Sequence, residues 1–210
     1  MTELVFILDR SGSMRGLEGD TIGGFNSMIE RQKRDTGAAV VSTVLFDNES
    51  TVIHDRIPLS KVPQMTEREY YTCGCTALLD AVGGAIRHIK NIHKYARSED
   101  VPEKTLVVIT TDGYENASRE YDYDTVRKLI EQQKESGWEF LFLGANIDAA
   151  KEAGRFGIDT DHAADYKCDE KGTALNFEVL GDALCCARAC QPIAPNWKQR
   201  IDEDVKQRGK

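Results

Sequence analysis

The chain lacks any long apolar run. Stretches such as Leu4–Leu8 and Leu106–Ile109 fall far short of the roughly 20 residues that a membrane-spanning helix needs. No basic segment precedes the first apolar run, and that run is too short for a secretory leader, so a cytoplasmic location is expected. Positive charge is in deficit too. The formal net charge is −8 over 210 residues, with acidic residues spread along the chain. Such a balance removes any general electrostatic pull toward nucleic acid or anionic membranes. No GxGxxG follows the first apolar run, which argues against a dinucleotide site. Paired CxxC motifs are also missing, although there are six cysteines. Cys73 and Cys75 flank a single glycine, where a disulfide would be strained. Cys185, Cys186 and Cys190 fall in a helical-looking segment, and Cys168 stands alone. Reduced thiols, buried or incidental, are therefore expected rather than zinc knuckles or a disulfide framework. There is no internal repeat and no low-complexity segment.

What is present is an alternation of strand and helix signals, the pattern of a mostly parallel sheet wrapped by helices. Glu3–Leu8 reads as a buried strand. Ile22, Phe25, Met28 and Ile29 then recur at helical spacing, and Gly37 closes that helix. Ala38–Phe46 and Ser50–Ile57, joined by Asp47-Asn48-Glu49, predict a hairpin that places one antiparallel strand at the sheet edge. An irregular stretch after Pro58 and Pro63 ends at Cys73-Gly74-Cys75-Thr76, and Leu78, Val82, Ala85, Ile86, Ile89 and Ile92 share one helical face. Strands are predicted at Thr105–Thr111, Trp138–Leu143 and Ala163–Tyr166, and helices at Tyr123–Lys134, Ile147–Phe156 and 172–190. One α/β domain is expected over residues 1–190, doubly wound with helices on both faces. The polar tail 191–210 carries no clear assignment. Gly23-Gly24 and Gly83-Gly84 lie inside helical patterns, where close packing of helix on sheet explains them better than a phosphate cradle.

Three loops share one property: each follows, or lies beside, the carboxyl end of a predicted strand. They are Asp9-Arg10-Ser11-Gly12-Ser13, Gly74-Cys75-Thr76 and Asp112-Gly113. Ligands of open α/β sheets bind at such ends, where the strand order reverses. If the first strand neighbours Thr105–Thr111, Asp9 and Asp112 emerge side by side, and their repulsion calls for a cation or a proton between them. Ser11, Ser13 and Thr76 add neutral oxygens. An all-oxygen set suits a hard cation, Mg²⁺ or Mn²⁺, rather than zinc. One coordination position is left for an outside oxygen, which an aspartate or glutamate on a partner protein would supply.

Asp9-x-Ser11-x-Ser13, Gly74-x-Thr76 and Thr111-Asp112-Gly113 closely resemble the three-part metal-ion-dependent adhesion site of von Willebrand factor A (vWA) domains. Phe6-Ile7-Leu8 before the first motif and Thr76-Ala77-Leu78-Leu79-Asp80-Ala81 around the second extend the resemblance, which spans roughly residues 1–185. It implies that Ser11, Ser13 and Thr76 ligate the ion, and that Asp9 and Asp112 hold it directly or through water. Mg²⁺ is the first choice of cation, with Mn²⁺ or Ca²⁺ as others. The implied role is metal-bridged recognition of a protein carboxylate, by a free-standing intracellular module of bacterial type, with no chemical step.

Rival readings exist for each element. Asp9 and Ser11 could simply cap a helix, and Asp112-Gly113 could be an ordinary strand-to-helix turn. Asp80, one turn after Thr76, is placed to hydrogen-bond back to the Thr76 loop. Arg10 projects either toward an incoming carboxylate or into solvent. Glu115-Asn116 either rims the ion site or forms a solvated loop, and Asp159-Thr160-Asp161-His162 reads as an acidic turn in preference to a second metal site. His54, His88, His93 and His162 stand in no catalytic motif, and His88 and His93 read as surface residues. The enzymatic alternative is a Mg²⁺-dependent phosphatase or phosphotransferase with Asp9 as nucleophile, like the haloacid-dehalogenase type. Those enzymes carry a second acid two residues on, where this chain has Ser11.

Overall fold

The computed structural model describes residues 1–189 and 191–209. Cys190 therefore lies outside the described residues. The strands are β1 (Thr2–Asp9), β2 (Ala39–Phe46), β3 (Ser50–Pro58), β4 (Lys104–Thr111), β5 (Trp138–Ala145) and β6 (Ala163–Tyr166). The helices are α1 (Glu18–Arg34), α2 (Leu78–Tyr95), α3 (Tyr123–Glu135), α4 (Ala149–Arg155), α5 (Glu170–Arg188) and α6 (Gln199–Arg208). The six strands form one sheet in the order β3-β2-β1-β4-β5-β6. All neighbours are parallel except β3, which pairs antiparallel with β2 at the edge. This is the predicted doubly wound α/β architecture.

Every residue of β1 is buried, because both faces of the sheet are covered. Side chains alternate across a strand. Leu4, Phe6 and Leu8 join a core with Phe25 of α1 and Leu180 and Leu184 of α5. Val5 and Ile7 face the opposite core, built on Leu78, Val82 and Ile86 of α2 and Ile130 of α3. The chain leaves β1 toward β2 and then crosses back to β4 on the other side. The strand order thus reverses between β1 and β4, which fixes the switch point at their carboxyl ends.

Several local expectations are corrected. The segment after Pro192 includes a packed helix, α6, with Ile201 buried in the first core. Its signal is faint because α6 buries just Ile201 and Asp204. Of the glycine pairs, Gly24 and Gly83 lie close to packed aromatic side chains. A β-carbon at Gly24 would strike Phe177 of α5, and one at Gly83 would strike Tyr121. Gly23 and Gly84 face open space. His93 is no plain surface residue. Its ring bonds to Glu3, which is fully buried and also receives the Arg56 guanidinium at 2.8 Å. His54 is buried against Thr43, 3.0 Å away. Among the described cysteines none is fully buried: Cys73 and Cys75 are exposed, and Cys168, Cys185 and Cys186 are half-buried, all as free thiols. No described helix is long and apolar enough to cross a membrane.

Candidate functional site

The carboxyl ends of β1 and β4 bring the five predicted site residues to one place. Asp9 ends β1 and is 2% exposed. Its Oδ1 accepts the Ser11 amide at 2.7 Å, and its Oδ2 accepts the Thr111 hydroxyl at 2.6 Å. The Ser11 and Ser13 hydroxyls lie 3.0 Å apart, and the Ser13 hydroxyl donates to Asp112 Oδ1. A β-carbon at position 113 would sit 3.5 Å from Thr76 Oγ1 and 3.8 Å from Ser13 Oγ. Thr76 and Ser13 therefore converge on the same small volume, which Gly113 leaves clear.

Burial drives the electrostatics. Loss of solvent pushes the Asp9 carboxyl up to about 6, against the opposing pull of hydrogen bonds from Thr111 and Ser11, and Asp112 adds to the rise. Asp112 is likewise raised by burial, with its bond from Ser13 opposing. Two carboxylates held in a poorly solvated corner carry a cost that a cation would remove. The donor chemistry fits one: two carboxylates and three hydroxyls, all oxygen. Among the described residues no group of three or more His, Cys, Asp or Glu side chains forms a metal-holding cluster. A cation here would depend on the hydroxyls.

Ser11 stands at the N-cap position of a short 3₁₀ turn, but neither it nor Asp9 caps a helix through its side chain. Residues 12–14 form one turn of 3₁₀ helix, and α1 begins after Leu17, with no side-chain cap at either start. Asp112-Gly113 leads into an irregular loop, and α3 starts only after Asp122.

Arg10 turns inward, so neither reading of it survives. Its Nε donates to Asp47 at 2.9 Å, Nη1 to the Glu69 carbonyl at 3.2 Å and Nη2 to Thr51 at 3.1 Å. The guanidinium also lies 4.8 Å from the centre of the exposed Tyr71 ring. Asp80 does not reach back to the Thr76 loop. Instead it accepts the amides of Arg119, Glu120 and Tyr121, which anchors the loop after β4. Glu115-Asn116 is not a solvated loop. Asn116 exchanges two hydrogen bonds with the Thr76 backbone, and Glu115 accepts the Leu79 amide at the start of α2.

Other contacts were invisible in sequence. Tyr70, buried, donates its hydroxyl to the Asp9 carbonyl at 2.6 Å. The Thr111 hydroxyl holds Asp9, a contact that its place in the Thr111-Asp112-Gly113 motif does not by itself reveal. Cys168, just past β6, lies 3.7 Å from Asp112, and burial together with that carboxylate pushes its thiol up to about 11.

Neither protein-family models nor curated proteins give a significant sequence match. Solved structures do match in shape. The vWF domain of the type V pili tip protein Mfa5 from Porphyromonas gingivalis superposes with a TM-score of 0.62 at 11% identity, covering 89% of this chain and 96% of that one. The fold is that of a vWA domain. A von Willebrand factor type A structure from Catenulispora acidiphila gives a TM-score of 0.56 at 15% identity, over 87% of this chain and 42% of that one. Proximal thread matrix protein 1 from the mussel byssus, solved with a zinc-occupied MIDAS motif, gives 0.59 at 13% identity over 88% of this chain. The vWA fold seen here spans 46% of that mussel protein. At these identities the likeness concerns the fold.

Proposed function

We propose that this protein is a metal-dependent protein-interaction module. Ser11, Ser13 and Thr76, with Asp9 and Asp112, hold a divalent cation whose open position takes a carboxylate from a partner protein. The observation that carries this reading is the convergence of two buried carboxylates and three hydroxyls at the β1/β4 switch point. The cation supplies positive charge and a vacant coordination position, which attract an anionic oxygen. The chain's own residues do the positioning. Thr111 and the Ser11 amide orient Asp9, Asn116 fixes the Thr76 backbone, and Gly113 keeps the space between Thr76 and Ser13 open. The hard oxygen set favours Mg²⁺, and the zinc-occupied motif of the mussel protein makes Zn²⁺ a cation to compare.

A binding role is favoured over phosphoryl transfer by Ser11, which stands two residues after Asp9 where a phosphotransferase of the haloacid-dehalogenase type carries its second acid.

The test is a thermal melt with Mg²⁺, Mn²⁺, Ca²⁺ or Zn²⁺ against EDTA, since a ligand of the folded state raises its stability. Wild type is expected to melt higher with cation, and Ser11→Ala, Thr76→Ala and Asp112→Ala to lose most of that rise. An equal rise in all variants would sink the site assignment. Capture of a partner from native lysate should fail with EDTA and with Thr76→Ala alike. Hydrolysis of a generic phosphate ester, lost in Asp9→Asn, would favour the enzymatic reading.

A further inference from the structure

The loop that carries Thr76 also carries two exposed thiols, Cys73 and Cys75. Between them Gly74 bends the chain with a φ of +68°, and a side chain there would run into Asn48. Cα atoms two residues apart lie within about 7 Å even in an extended chain, and a disulfide spans about 4.4–6.8 Å. A bend at the intervening residue shortens the separation further. The two thiols differ in setting. Cys73 donates to Asp47 Oδ2 at 3.2 Å, the same oxygen that receives Arg10 Nε. Cys75 has no such carboxylate contact among the described residues.

We infer that Cys73 and Cys75 form a reversible disulfide that switches the Thr76 loop, with a hydroperoxide as the class of oxidant. The Cys75 sulfur attacks a peroxide oxygen, the O–O bond breaks, and the leaving oxygen departs as water with the thiol proton. Cys75 is left as a sulfenic acid. The Cys73 sulfur then attacks the Cys75 sulfur. The S–S bond forms, the S–O bond breaks, and a second water leaves with the Cys73 proton. The two sulfurs together give up two electrons, and hydrogen peroxide is reduced to two waters. A dithiol reverses the reaction by exchange, and strained, exposed disulfides are the readily reversed kind.

The bond acts on the site through the backbone. The Cys73 amide donates to the Arg10 carbonyl at 3.0 Å, and the Gly12 amide donates to the Gly74 carbonyl at 3.1 Å. These bonds tie the thiol loop to the Asp9–Ser13 loop. The next amides are tied as well, Cys75 to Asn48 and Thr76 to Asn116. Closing the disulfide draws Cys73 off Asp47 and moves Gly74 and Cys75. Thr76 and Gly12 move with them.

The effect on the cation rests on the function proposed above, so the test reads both halves. The full chain is compared reduced and after hydrogen peroxide, with residual thiols alkylated and peptides mapped by mass. A Cys73–Cys75 linkage is expected, lost with dithiothreitol and blocked by Cys75→Ser. Faster amide exchange at Gly12 and Thr76 should accompany it, and Mg²⁺ binding about tenfold weaker until reduction. Oxidation that stops at sulfinic acid, or that pairs either thiol with another cysteine or another molecule, overturns the inference. So does a Cys73–Cys75 bond that leaves amide exchange at Gly12 and Thr76 unchanged. If neither form binds Mg²⁺, the metal reading fails, and amide exchange alone decides the switch.

Discussion

The Thr111 hydroxyl donates to Oδ2 of Asp9 at 2.6 Å and ties together the ends of β1 and β4 beneath the candidate cation site. Two chain segments 102 residues apart thus share one proton-donating contact at the point where the strand order reverses.

Thr111→Val keeps the shape of the side chain and removes the donor. A buried carboxylate oxygen loses its partner, which costs about 1–3 kcal/mol. Cation affinity is expected to fall about tenfold or more, because the orientation of Asp9 depends on this bond. Chemical denaturation and calorimetric Mg²⁺ titration measure the two effects, and Thr111→Ser should restore both. Unchanged affinity in Thr111→Val would show that Asp9 needs no such support.

Arg10→Met leaves Asp47 buried beside Cys73 with its cation gone. Breaking a buried ion pair from one side costs about 3–5 kcal/mol, and a urea melt reads the loss. Arg10→Lys should recover little, since three separate guanidinium nitrogens serve Asp47, Glu69 and Thr51. A melt indistinguishable from wild type would mean that Arg10 is free to face a partner.

Adjacent glycines of α1 should respond with opposite signs. Gly23→Ala fills open space on a helix and is expected to stabilise by about 0.5–1 kcal/mol. Gly24→Ala drives a methyl into the Phe177 ring and is expected to destabilise by about 1–3 kcal/mol. Paired thermal melts decide it, and equal shifts would contradict the α1–α5 packing.

His54 gives the fold a dependence on pH. Burial lowers its pKa from the ordinary 6.5, with the charge of Glu69 opposing. The unfolded chain takes up a proton at this site before the folded one does. Stability therefore rises with pH through the window just below 6.5 and is lost on acidification through it. The melting temperature of His54→Gln should fall less than that of wild type between neutral and mildly acidic pH. Parallel profiles would remove His54 as the cause.

The linear chain determined the fold to a large extent. Apolar runs at Leu4–Leu8 and Leu106–Ile109 read as buried strands because nearly every residue in them is apolar, and helical spacing marked α1 and α2. Asp9, Ser11, Ser13, Thr76 and Asp112 were legible as a set because each sits in a loop beside a predicted strand end. Local patterning could not say where long side chains go. Arg10 turned inward because Asp47, 37 residues away, waits behind it, and Asp80 reached amides some 40 residues on. His93 found a buried Glu3 at the far end of the sheet's central strand. Those choices belong to the tertiary structure. A buried charge must find its partner wherever the fold brings one, and the strand order that sets β1 beside β4 is what gives Asp9 both Thr111 and Asp112.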